Sequence, residues 1–174
     1  MVQGVAGLHD SSFRVEGDRI VAGTYGAAVV AAGGEALLRG ICPSDLKVPL
    51  EEFQKAGAAV DADEKNRQIR ICMGKRPLPL LIKTEPYPGF PTDLQSPFMA
   101  FLATAQGTSY IEEQVFEGRF ATAKILEQMG AVIRTEDQRA VIEGHYPLKG
   151  AAVNACDLRG GAALMVAALA AEGD

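Results

Sequence analysis

The chain has 174 residues, 48% hydrophobic and 6% aromatic, with no Trp and a formal net charge of −5. That length fits one domain, or at most two small ones, around a mostly aliphatic core. No Lys/Arg cluster exceeds two in a row, which excludes a basic stripe for nucleic acid, and the longest apolar run, over 160–171, is far shorter than the ~20 residues that span a bilayer.

Cys42, Cys72 and Cys156 are far apart, odd in number and without metal-ligand spacing. They read as reduced, mostly buried thiols. His9 and His145 have no supporting motif for a metal site or a triad. The first residues show no charged region followed by an apolar run. A cytoplasmic protein without metal or cofactor, and with no nucleic-acid or membrane partner, is the expectation.

In chain order, a strand is predicted over 13–20, a helix over 24–32 and a strand over 35–42. A helix follows over 46–56, with Leu46, Leu50 and Phe53 on one face. A hairpin then pairs 59–62 with 68–73 around the polar turn Asp63-Glu64-Lys65-Asn66. Residues 67–71 alternate strictly, so one face is wet and one buried.

The same order recurs. A strand is predicted over 80–83, a helix over 94–106 with Phe98, Phe101, Leu102 and Ala105 on one face, and a strand over 108–115. A helix over 119–129 and a hairpin pairing 132–135 with 140–143 complete it. Gly57 and Gly130 each sit just past a helix, where the backbone needs φ > 0, and they are 73 positions apart. Gly34 and Gly107 have the same spacing. Two markers at one interval argue for a duplicated β-α-β-α-β-β unit. A third copy opens with a strand over 151–155, Asp157 and a helix over 158–171, then stops half-way. The expected fold class is α/β: unit one about 10–76, unit two about 77–149 and a partial unit three about 150–174.

The chemistry gathers at helix starts, where free N–H groups favour anions. Asp93 and Asp157 stand at matching strand–helix junctions. Each reads as an N-cap or as a presented carboxylate. The approach Pro86-Tyr87-Pro88-Gly89-Phe90-Pro91 is stiff, and holds Thr92 and Asp93 in place as a base or hydroxyl acceptor requires. The run Val115-Phe116-Glu117-Gly118-Arg119-Phe120 reads either as a solvated loop or as a ligand edge with Arg119 as its cation. Arg159 carries the same two readings.

The runs Pro88-Gly89-Phe90-Pro91-Thr92-Asp93-Leu94-Gln95, Phe116-Glu117-Gly118-Arg119-Phe120, Met129-Gly130-Ala131, Leu148-Lys149-Gly150-Ala151 and Asp157-Leu158-Arg159 together resemble the enolpyruvyl transferases. Weaker likeness at 15–24 and 74–77 extends this over essentially the whole chain. The resemblance implies two lobes, each of three β-α-β-α-β-β units in an inside-out α/β barrel (an α+β prism) with helices inside and sheets outside. This chain then covers two units and half of a third in one lobe. The nearest branch moves enolpyruvate from phosphoenolpyruvate to the 3-hydroxyl of UDP-N-acetylglucosamine in peptidoglycan synthesis.

By that resemblance Asp93 binds the attacking hydroxyl and is the candidate base. Thr92, Val115, Arg119, Asp157 and Arg159 are the other substrate-binding positions. Two departures stand out: Gly118 replaces the family's Asn, and Gly160-Gly161 replaces Ala-Ser, which weakens that helix start. The family's cysteine lid and its phosphoenolpyruvate-holding Lys and Arg belong to the other lobe, and none of the three cysteines here matches the lid. The isolated chain is therefore expected to be inactive and to self-associate through its open third unit. The alternatives are a lobe of the branch acting on shikimate-3-phosphate, and a stand-alone non-enzymatic binding module.

Overall fold

The computed structural model describes residues 3–173. The first helix starts earlier than its pattern suggested. Asp18 accepts hydrogen bonds from the N–H groups of Ile20 (2.7 Å) and Val21 (3.2 Å), which caps α1 (Arg19–Ala32). The strand expected over 13–20 is not formed. Residues 3–18 carry no β pairing, and Phe13 and Val15 are each 84% exposed. Alternating side chains make a strand only where an adjacent edge satisfies the backbone, and no strand pairs here.

β1 (Gly34–Arg39), α2 (Lys47–Lys55) and the hairpin β2 (Ala59–Asp63) and β3 (Gln68–Met73) follow. The sheet order is β1-β3-β2, antiparallel throughout. β3 buries Ile69, Ile71 and Met73 and turns Arg70 outward, as its alternation dictates. Cys72 shares the outward face. The expectation of buried thiols fails: Cys42 and Cys72 are half-buried, Cys156 is exposed, and all three are free.

The second set comprises β4 (Leu81–Lys83), α3 (Gln95–Leu102), β5 (Thr108–Glu112), α4 (Ala121–Leu126), β6 (Val132–Glu136) and β7 (Arg139–Glu143). Its sheet runs β4-β5-β7-β6, with β4 parallel to β5 and the rest antiparallel. The arrangement repeats that of the first sheet and adds β4, the strand the first sheet lacks. Gly57 (φ +100°) and Gly130 (φ +85°) take the left-handed conformation that the repeat required.

α3 ends at Leu102, short of the 106 expected, because tight turns take over. The carbonyls of Thr104 and Ala105 accept bonds from Arg76 Nε (3.0 Å) and Nη2 (2.8 Å), a cation at a helix C-terminus. Thr104 and Ala105 are fully buried. Arg76→Ala leaves both carbonyls without this partner, and is expected to lower unfolding free energy by about 1–3 kcal/mol. Urea denaturation reads this; a change below about 0.5 kcal/mol counts against the assignment.

β8 (Leu148–Lys149) pairs in parallel with β9 (Ala171–Glu172) on either side of α5 (Leu158–Leu169). The strand expected over 151–155 is not formed, since β9 offers only two residues and the pairing ends there. α5 nevertheless starts regularly despite Gly160-Gly161, because Asp157 accepts the N–H of Gly160 at 2.6 Å.

α1, α3 and α5 pack on one another, and the two larger sheets lie outside them. This is the inside-out α/β prism. Every residue of α3 is buried, not one face alone, because helices and sheet surround it. The core is largely aliphatic, yet its middle is aromatic. Phe98 lies 4.8 Å from Phe53, 4.7 Å from Phe90 and 4.8 Å from Phe101, centroid to centroid. No helix among the described residues is long and apolar enough to cross a membrane.

Candidate functional site

Three segments converge at one end of the helix layer: the turn Thr92–Leu94 leading into α3, the loop 113–120 after β5, and the start of α5. Asp157 proves to be an N-cap, donating nothing and accepting from its own helix. Asp93 is different. It makes no cap bond, and its two carboxylate oxygens are held by two guanidinium groups. Arg119 Nη2 reaches Oδ1 at 2.8 Å, and Arg159 Nη2 reaches Oδ2 at 3.0 Å. Arg119 Nη1 also donates to the Thr92 hydroxyl at 2.9 Å. The rigid side of this clamp is the proline-rich approach, whose Phe90 is buried against Phe98.

Burial pushes the Asp93 carboxyl up, but the hydrogen bonds and charges of Arg159 and Arg119 outweigh it and hold the group below its ordinary value of 3.8. The Asp93 side chain is 36% exposed, so solvent still screens these pairs. Beside the clamp lies an open cleft of about 420 Å³, lined by Asp93, Phe116, Glu117, Gly118, Arg119 and Asp157 among others. The Arg119 guanidinium sits over the Phe116 ring, 5.0 Å from its centroid. Gly118 adopts φ +68°, with open space where a Cβ would stand. Asn and Gly are the two residues that best tolerate that conformation, so this exchange preserves the turn.

Of the residues singled out from sequence, Thr92, Asp93, Arg119 and Arg159 form one bonded cluster, and Asp157 borders the same cleft. Val115 does not join them. Its N–H is committed to the Glu113 carboxylate at 3.0 Å, and it does not line the cleft. Glu113 itself was missed. It is fully buried and accepts from Thr84, Thr92, Val115 and Phe116. The signal was present: Ser109 and Ile111 face inward on β5, so period two places Glu113 on the same buried face. Among the described residues no group of three or more His, Cys, Asp or Glu could hold a metal ion.

The family profile described as EPSP synthase (3-phosphoshikimate 1-carboxyvinyltransferase) matches residues 1–174. The chain belongs to this enolpyruvyl transferase family. It is 45% identical over 174 residues to a UDP-N-acetylglucosamine 1-carboxyvinyltransferase of Brucella ovis, covering 99% of this chain and 40% of that protein. The chain therefore spans about 40% of the length of the curated relatives it matches. Among solved structures it is similar to the enolpyruvyl transferase NikO from Streptomyces tendae, with a TM-score of 0.79 and 26% identity over 90% of this chain and 37% of that one. An EPSP synthase from Acinetobacter baumannii shares the fold, with a TM-score of 0.67 and 20% identity over 92% of this chain and 38% of that one.

Proposed function

We propose that the cleft beside Asp93 is the sugar-hydroxyl subsite of a carboxyvinyl transferase acting on UDP-N-acetylglucosamine in peptidoglycan synthesis. The observation that carries this is the carboxylate of Asp93 held between Arg119 and Arg159 at the mouth of an open cleft. The 45% identity to the Brucella enzyme supports the choice of sugar.

Asp93 as found is a poor base, since both oxygens are occupied and its carboxyl titrates low. An incoming sugar hydroxyl replaces one guanidinium as donor to Asp93. That exchange frees a carboxylate oxygen to accept the hydroxyl proton while the alcohol oxygen adds to C2 of phosphoenolpyruvate, the C2–C3 π bond breaks and C3 takes a proton from an acid outside these 174 residues. The displaced guanidinium then faces the substrates' negative charge. Thr92 and Asp157 complete this subsite, and Val115, whose N–H is held by Glu113, stands outside it. In the closing step the adduct loses a proton from C3 and expels phosphate, which re-forms the double bond. Phosphoenolpyruvate is held by groups outside these 174 residues, so the isolated chain binds the sugar nucleotide and does not turn over. The protein works in the cytoplasm and needs no cofactor. Its 174 residues form one lobe of two units, the first without its opening strand, and a partial third, about 10–76, 77–149 and 150–174.

Calorimetry with UDP-N-acetylglucosamine, with shikimate-3-phosphate as competitor, tests the substrate. Preferential binding of shikimate-3-phosphate transfers the assignment to that branch, for which the description of the matching family profile speaks. Binding of neither leaves the stand-alone module. Phosphate release from phosphoenolpyruvate by the chain alone refutes the claim of inactivity.

Self-association belongs to the same reading. Leu158, Met165 and Leu169 on α5 are 79%, 72% and 62% exposed, and with Val21 and Tyr25 of α1 they flank an apolar groove of about 310 Å³. Exposed contiguous apolar surface of this kind drives association. Sedimentation velocity is expected to show the mean mass rising with concentration. A monomer across the whole range excludes it.

A further inference from the structure

Glu113, we infer, is the positioning residue that sets the direction of the hydrogen-bond chain Arg119 to Thr92 to Glu113, and so aims the guanidinium at Asp93. Its side chain has no exposed surface. Oε1 accepts the Thr84 hydroxyl at 2.8 Å and the N–H groups of Val115 at 3.0 Å and Phe116 at 3.1 Å. Oε2 accepts the Thr92 hydroxyl at 2.9 Å. One carboxylate thus ties together the end of β4, the turn that starts α3 and the loop that carries Arg119.

The two oxygens do different work. Oε1 is structural. Thr84 also accepts the Gln114 N–H at 2.8 Å, so that side closes the β4–β5 corner. Oε2 is directional. A hydroxyl has one proton, and the carboxylate takes the one on Thr92. A Thr92 lone pair is then left facing Arg119 Nη1, which can only donate. The guanidinium is fixed at one edge by Thr92 and delivers Nη2 to Asp93. A group of the same shape that donates at the Oε2 position leaves the Thr92 proton without this acceptor and loosens Arg119.

Glu113→Gln makes that change while its carbonyl still accepts the three bonds of Oε1. Thr84→Val is the matched control, because it removes a buried bond at Oε1 and the acceptor for Gln114 but leaves Oε2 alone. The readouts are the Arg119 guanidinium resonances and the carboxyl titration of Asp93, both by NMR on the whole chain. Asp93 is faced by Arg119 and Arg159, with Asp157 and Glu117 in the same cleft.

In Glu113→Gln the Arg119 signals are expected to broaden and the Asp93 midpoint to rise toward 3.8. In Thr84→Val both stay at wild-type values although the melting temperature falls. Equal effects of the two variants, or no effect of Glu113→Gln, overturn the inference. If Glu113→Gln does not fold, Thr92→Val and Thr92→Ser carry the test. The valine is expected to raise the Asp93 midpoint and the serine to restore it, and a valine variant indistinguishable from wild type overturns the inference. The ligand arm rests on the functional reading above: UDP-N-acetylglucosamine is expected to bind Glu113→Gln about tenfold more weakly, a difference of ~1.4 kcal/mol. Failure of the wild-type chain to bind that sugar would refute the functional reading alone, since the resonances judge Glu113 without ligand.

Discussion

Asp93→Asn is expected to weaken binding of UDP-N-acetylglucosamine by about 10- to 100-fold. A hydrogen bond to a charged group contributes about 1.5–3 kcal/mol, and each 1.4 kcal/mol is a factor of ten. The substitution keeps size and shape but removes the charge and one acceptor. Its amide nitrogen faces a guanidinium, donor against donor, so one of Arg119 and Arg159 loses its partner. Calorimetry reads the affinity; an unchanged value would move the sugar subsite elsewhere. The same variant checks the electrostatics. The folded carboxyl of Asp93 lies below its ordinary value of 3.8, so the pair contributes stability that is fully present above that value. That contribution is lost as pH falls through the lower, folded value. The stability gap between wild type and Asp93→Asn is therefore expected to be constant near neutrality and to close below about pH 4. A gap that widens on acidification contradicts the clamp.

Phe98→Ala is expected to cost about 3–5 kcal/mol of unfolding free energy. Its ring has no exposed surface, stacks on Phe53 and meets Phe90 edge-on. Truncation removes contacts to all three neighbouring rings and leaves a void that α3, buried on every side, cannot collapse to fill. Against a typical total of about 5–15 kcal/mol, that is a large share. The effect reaches the site, because Phe90 belongs to the proline-rich approach that presents Thr92 and Asp93. Urea denaturation gives the energy, and the Asp93 titration in the folded fraction shows whether the approach has loosened. Phe98→Leu is expected to cost less than the alanine. A loss under about 1 kcal/mol for the alanine variant would show that the cluster repacks.

The repeat was legible because helix ends and hairpin turns are local. Gly57 and Gly130 need a left-handed backbone whatever surrounds them. Strand existence was less legible. Residues 13–16 alternate as a strand does but stay unpaired although β1 lies at the sheet edge, whereas 81–83 pair with β5, the strand that matches β1. The sequence around 18 carried a cap signal in Asp18, and that local signal decided the start of α1. Burial of the cysteines was misjudged because composition speaks of averages, while Cys72 follows the parity of its own strand.

At the site, the candidate residues Asp93, Arg119 and Arg159 were recognisable from their runs, but their mutual bonding was not. They lie 26 and 66 positions apart in pairs, and only the convergence of three segments makes them one cluster. Asp93 and Asp157 looked equivalent in sequence, each at a helix start. The fold separates them, since two guanidinium groups reach the first and the helix's own N–H takes the second. By itself, then, the sequence determined the duplicated α/β unit, the turns and the residue types at the cleft, all set by short-range backbone and side-chain preferences. Only the tertiary structure decided which carboxylate is clamped, that Glu113 lies buried behind it, and that Val115 is spent on that support, because each depends on hydrogen bonds between segments distant in the chain.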